Sequence, residues 1–141
     1  MKTGRRAILI VTDDPAESRM IAQSFRHARV PNPLKFVTDG EAAIAYLKGD
    51  GKSPDRREHP LPLLMLLDLA LPKRSGFEVL AWARKQYWTE GLAILTITGP
   101  KESAEARKAR RLGATCCLMK PVDFEKLGPI VRNLNEQAAN K

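Results

Sequence analysis

Long hydrophobic runs are missing from this chain. No apolar stretch reaches the roughly 18–20 residues that a bilayer-spanning helix needs. The amino terminus reads MKTGRR and is followed by a short apolar run, residues 7–12. A secretory signal requires a longer apolar region and a small-residue cleavage site, so the expected location is the cytoplasm, with no membrane partner. Cysteine is equally scarce: the only two, Cys116 and Cys117, are adjacent. Neighbours on a strand point to opposite faces, which argues against a bridge between them. They read as buried structural thiols, with a redox role as the lesser alternative. Aromatic residues make up 6% of the chain and are not interleaved with Arg and Lys, the pattern a nucleic-acid surface would use. There is no glycine-rich phosphate loop after the first apolar run, no internal repeat and no low-complexity segment.

The 141 residues suit a single domain, 1–141. With 43% hydrophobic and 28% charged residues, such a chain can bury a core without disulfides or a structural metal. The formal net charge of +8 favours acidic partners through long-range attraction. The densest basic cluster is Lys101, Arg107, Lys108, Arg110 and Arg111, and a solvated helix face is its ordinary meaning.

Five short apolar runs alternate with five helical stretches. The runs are residues 7–12 (AILIVT), 34–37 (LKFV), 63–67 (LLMLL), 92–97 (LAILTI) and 115–119 (TCCLM). The first, third and fourth are apolar almost throughout, as in parallel strands buried on both faces. The first helix is expected from Asp14-Pro15, an acidic cap followed by an early proline, with Met20, Ile21 and Phe25 at helical spacing. The second follows Asp39-Gly40, carries Ala43, Ile44 and Leu47, and is ended by Gly49 and Gly51. The third opens near Ser75 and buries Val79, Leu80 and Ala83. The fourth, about residues 101–112, has a thin apolar stripe and Gly113 as its C-cap, and should be the least firmly packed. The fifth begins after Asp123, with Leu127, Ile130, Val131 and Leu134 on one face. Residues 48–62 form a long loop without apolar periodicity, which is either functional or a tolerated insertion.

Strict alternation of strand and helix predicts a doubly wound α/β sheet. In such sheets ligands sit beyond the carboxyl ends of the strands. Asp13 and Asp14 follow strand one, Asp68 ends strand three, Thr98 follows strand four, and Lys120 with Pro121 follows strand five. Each has an ordinary alternative: a helix cap, a turn acid, a local backbone bond, a surface lysine. Their convergence on one crevice is the stronger reading. Clustered carboxylates repel and are held ionised by a cation. Oxygen ligands around an open position suit Mg²⁺. A carboxylate beside that ion can attack phosphorus, while a lysine neutralises the equatorial oxygens.

These residues resemble the response-regulator receiver family. VTDDP resembles its acidic motif after strand one, and LLMLLDLALPKRSG the strand-three motif around the phosphoacceptor. TITG resembles the strand-four Thr/Ser motif, and LMKPV the strand-five Lys-Pro motif. The resemblance covers a core of about residues 7–134. Within the family, the long loop before strand three and the stretch DLALPKRSGFEVL look most like stand-alone receivers serving bacterial phytochrome-type kinases.

The resemblance implies a flavodoxin-like five-stranded parallel sheet, ordered 2-1-3-4-5 and flanked by five helices. It implies Asp68 as phosphoacceptor, and Mg²⁺ held by Asp13, Asp68 and the backbone carbonyl of Ala70. Lys120 would pair with Asp68 and then with the phosphoryl group, and Thr98 would bond a phosphoryl oxygen. Thr12, Asp14, Gly99 and Pro121 would form the periphery, with a cis bond before Pro121. The implied partners are a sensor histidine kinase or phosphotransfer protein, and a second copy through the helix 4–strand 5–helix 5 face. The chain would act by two-component signalling, catalysing only its own phosphotransfer and dephosphorylation.

Two positions depart from the family pattern. Thr12 stands where the first of two adjacent acids is usual, and Asp14 lies one residue too late to replace it. Cys117 stands where a Tyr or Phe often swings inward. A receiver that is folded but not phosphorylated, acting as a constitutive binding module, is therefore the alternative. An enzyme of the same architecture, flavin-binding or phosphohydrolytic, lacks support: Ala70, not an acid, stands two residues after Asp68. Only a short tail follows Leu134, so no DNA-binding domain is expected within this sequence.

Overall fold

The computed structural model describes residues 6–49, 61–89, 91–98, 103–120 and 122–139. The most continuous apolar runs become the middle of one parallel sheet. Strands β1 (Ile8–Val11) and β3 (Leu64–Asp68) are buried at every residue, and β4 (Ala93–Thr98) at all but its first. Strands β2 (Leu34–Val37) and β5 (Cys116–Met119) form the edges and are partly exposed. The order is β2-β1-β3-β4-β5, with every pairing parallel, as in a flavodoxin-like sheet.

Helices cover both faces, because parallel strands need crossovers and their apolar sides must be shielded. Period-two alternation sorts the core into two layers. Leu9, Val11, Met65, Leu67 and Ile94 pack against helices α2 (Gly40–Lys48), α3 (Gly76–Lys85) and α4 (Ser103–Leu112). Ile8, Ile10, Leu64, Leu66 and Leu95 pack against α1 (Pro15–His27) and α5 (Leu127–Ala139). Continued one residue past β1 and along β3, the same alternation turns Thr12 and Asp68 toward the α1 side.

The helix edges follow the cap chemistry of the sequence. Asp14 caps α1, Asp39 caps α2 and Ser75 caps α3, while Gly49 ends α2 in the left-handed region at φ 73°. Among the described side chains of α4, Ala106 and Ala109 alone are buried, so its packing stripe is as thin as expected. Several details differ from the sequence reading. Met20 faces solvent, since α1 turns Ile21 and Phe25 inward instead. Cys116 is exposed and Cys117 half-buried, because β5 is an edge strand. Both thiols are free. Short 3₁₀ turns at Tyr87–Thr89 and Phe124–Lys126 carry no strong periodicity and were not foreseen. The expectations for most of the loop at 48–62, and for Gly99, Lys101 and Pro121, lie outside the described residues.

Candidate functional site

Asp68 is the last residue of β3, 3% exposed, and both its carboxylate oxygens are engaged. Oδ1 accepts the Ala70 N–H at 3.0 Å, and Oδ2 lies 3.6 Å from Lys120 Nζ. Lys120 is brought there by sheet register: its N–H donates to the Thr98 carbonyl at 2.7 Å, just beyond the β4–β5 ladder. Gly76, at the start of α3, seals the other side of the Asp68 backbone. A Cβ there would lie 2.5 Å from the Asp68 carbonyl oxygen, so only glycine allows this approach.

Glu17, in the first turn of α1, completes the pocket. It is buried, accepts the Thr12 hydroxyl at 2.8 Å through Oε1, and places Oε2 3.7 Å from Lys120 Nζ. One ammonium thus faces two buried carboxylates. Burial raises the Glu17 pKa above the usual carboxylate value; the Thr12 bond opposes that, Asp68 adds to it, and Lys120 opposes it. Burial pulls the Lys120 pKa down, but the charges of Asp68 and then Glu17 leave it raised overall. Lys120 is therefore a cation fixed by its two acids.

Lys120 Nζ lies beside Asp68, Thr12 reaches the same ammonium through Glu17, and Thr98 accepts the Lys120 N–H on the neighbouring strand. Thr98 is 2% exposed, and its Oγ1 has no hydrogen-bond partner among the described residues. Asp13 and Ala70 are exposed, and Ala70 is tied to the site through its N–H on Asp68. Asp14 is spent on the helix: its carboxylate accepts the N–H groups of Ala16 and Glu17, at 2.9 and 3.4 Å. Its charge also acts on the Glu17 carboxyl and on Lys120.

Glu17 was missed by the sequence reading. The available signal was an acid three residues after the Asp14 cap, a spacing that ordinarily indicates a capping box.

The profile of the response regulator receiver domain matches residues 8–132. The chain belongs to that family. Among relatives of this receiver, a probable methanogenesis regulatory protein, FilR2, of Methanothrix harundinacea is 30% identical, the match covering 92% of this chain and 81% of FilR2. The crystal structure of the phosphorylated cyanobacterial phytochrome response regulator RcpA superposes on the receiver with a TM-score of 0.77 at 28% identity, covering 94% of this chain and 93% of RcpA. The Mn²⁺-bound form of response regulator Rcp1 does so with a TM-score of 0.75 at 28% identity, covering 92% and 91%. Receivers of this family serve two-component signalling and bind Mg²⁺ at their acidic pocket.

The donors that the resemblance implies for such an ion are all oxygens: the Asp13 and Asp68 carboxylates and the Ala70 carbonyl. Among the described residues no group of three or more His, Cys, Asp or Glu side chains forms a metal cage. That donor set fits Mg²⁺, which keeps several waters and is bound through one or two carboxylates rather than an all-protein cage.

Proposed function

We propose that this receiver is a phosphorylation-dependent response regulator, taking a phosphoryl group onto Asp68 from a sensor histidine kinase or a phosphotransfer protein. The observation that carries the reading is the Asp68 carboxylate, buried yet held 3.6 Å from Lys120. In the transfer an Asp68 oxygen forms the new P–O bond, and the donor's P–N bond breaks, with the imidazole as leaving group. Mg²⁺, held by Asp13, Asp68 and the Ala70 carbonyl, would supply charge neutralisation on the phosphoryl oxygens. Lys120 neutralises a second region of the same charge, and its ammonium is already placed, so little reorganisation is needed during transfer. The Thr98 hydroxyl, without a partner among the described residues, is a donor available to a phosphoryl oxygen. The similarity to RcpA, solved in its phosphorylated form, and to Rcp1, solved with Mn²⁺, supports both parts of the reading. It also supports a phytochrome-type kinase as the donor.

Output in this reading comes from protein contact in the cytoplasm, including a second copy through the face of α4, β5 and α5. Among the described residues no helix is long and apolar enough to cross a membrane. The test is incubation with acetyl phosphate and Mg²⁺, followed by intact mass. We expect a gain of one phosphoryl group in the wild type and none in Asp68→Asn. A gain that persists in Asp68→Asn puts the acceptor elsewhere, and no gain in the wild type leaves a constitutive binding module.

A further inference from the structure

Helices α1 and α3 begin alike in sequence and differently in space. Each has an acid at its third residue, Glu17 or Glu78, three places after the cap. In α3 this gives a complete capping box: Glu78 N–H donates to Ser75 Oγ at 3.2 Å, and Ser75 N–H donates back to Glu78 Oε1 at 3.1 Å. In α1 the return bond is replaced. The Asp14 N–H donates to Thr12 Oγ1 at 3.2 Å, and the Thr12 hydroxyl in turn donates a hydrogen bond to Glu17 Oε1 at 2.8 Å. Glu17 is thereby released from capping and turned into the pocket, toward Lys120.

A threonine in place of an acid at residue 12 therefore does more than remove a charge. Its hydroxyl takes over the cap and presents the carboxylate of Glu17 in the same pocket. A second observation lies at the neighbouring strand end: Thr98, whose carbonyl accepts the Lys120 N–H, is buried, and its Oγ1 has no partner among the described residues, so it is free to bond a ligand that enters beside Lys120. We propose that Glu17 is the second acid of the phosphoacceptor pocket, moved from strand to helix, where it positions Lys120 and supplies the negative charge that draws Mg²⁺ beside Asp68.

The inference rests on the function proposed above, but its test needs no phosphoryl transfer. Mg²⁺ affinity is measured by isothermal calorimetry on the metal-free protein, with fold checked by circular dichroism. Glu17→Gln keeps the acceptor for Thr12 and removes the charge; affinity should fall on the order of tenfold, the scale of one lost charge contact in a partly screened site. A second comparison moves the acid back to the strand: the double variant Thr12→Asp with Glu17→Gln should bind on the order of tenfold more tightly than Thr12→Asn with Glu17→Gln, which has the same shape without the charge. Either comparison suffices if a member of the other fails to fold. Equal affinity within a comparison overturns the proposal. If acetyl phosphate leaves the wild type unmodified while Glu17→Gln still loses Mg²⁺, the proposed function fails and the relocated acid stands. If the wild type is phosphorylated and Glu17→Gln binds Mg²⁺ as well as it does, the function stands and the relocated acid is wrong.

Discussion

Thr12 donates its buried hydroxyl to Glu17 at 2.8 Å, across the turn that joins β1 to α1. Both residues are more than nine-tenths buried, so the bond satisfies a polar group on each side of the turn. It also holds a carboxylate in a place where solvation is poor. The arrangement is costly when the pocket is empty of cations other than Lys120, and it improves when positive charge arrives. Site and stability are therefore opposed in the metal-free protein.

That opposition gives a pH dependence. The folded state holds the Glu17 proton above the ordinary value of 4.5, chiefly through burial. Between the ordinary value and the raised one, the folded state binds more protons than the unfolded state, so stability falls as pH rises. The contribution is full below the ordinary value and is lost as pH climbs through the folded one. Glu17→Gln has no such proton to lose. Urea midpoints of metal-free wild type and Glu17→Gln, followed upward from about pH 4, should diverge in favour of the variant. Parallel curves, or divergence in favour of the wild type, would show that Glu17 is not strained by its surroundings.

Lys120 is the only cation that the structure pairs with Asp68 among the described residues, and it also serves Glu17. Lys120→Met keeps the stem and leaves two buried acids facing each other. Breaking a fully buried pair costs about 3–5 kcal/mol, but the Lys120 side chain is 35% exposed and water will screen the remaining charges. A loss of roughly 1–2 kcal/mol is expected by urea unfolding at neutral pH. Glu17→Gln in the same chain should recover part of it, because the two residues share one network. Strict additivity of the two changes would contradict the shared ammonium.

Two buried hydroxyls, Thr96 Oγ1 and Thr98 Oγ1, have no hydrogen-bond partner among the described residues. An unpaired buried polar group costs about 1–3 kcal/mol, so Thr→Val at either position should be neutral or stabilising by up to about 1 kcal/mol. Only Thr98 stands at the strand end beside Lys120. Acetyl phosphate with Mg²⁺ should therefore raise the melting temperature of Thr96→Val as it does the wild type, and raise that of Thr98→Val less. Equal responses from the two variants would remove Thr98 from the phosphoryl contacts.

Strands β1, β3 and β4 were legible because burial on both faces leaves a continuous apolar run, and the strand ends then named Asp68, Thr98 and Lys120. Glu17 was not legible for a physical reason. A cap-to-third-residue acid has the same spacing whether it returns to the cap, as Glu78 does, or turns inward; Thr12 decides between them through a side-chain bond that periodicity cannot express. Cys116 was misjudged for a similar reason. An apolar run does not reveal whether a sixth strand or a helix covers its edge, and β5 ends the sheet.

The lifetime of the phosphorylated state should be long, and Ala70 is the reason that can be tested. Water must reach phosphorus on the side opposite the Asp68 oxygen. The resemblance to receivers implies that the side chains two residues after the phosphoacceptor and two after Thr98 flank that path; these are Ala70 and Pro100, the latter outside the described residues. Ala70 is exposed, and its N–H is fixed on Asp68 Oδ1 at 3.0 Å, so its side chain is anchored next to the reacting carboxylate. A methyl group cannot hydrogen-bond an attacking water. It is also small, which leaves the path open to solvent, and the two effects oppose each other. Orientation is the larger, because an open path supplies water without aligning it, and each ~1.4 kcal/mol of alignment forgone slows the reaction about tenfold. Ala70→Asn adds an amide that can hold the water, and dephosphorylation should accelerate on the order of tenfold once the donor is removed. Decay is followed by intact mass at fixed Mg²⁺. A wild type that loses its phosphoryl group as fast as Ala70→Asn, or faster, would show that access and not alignment limits the rate.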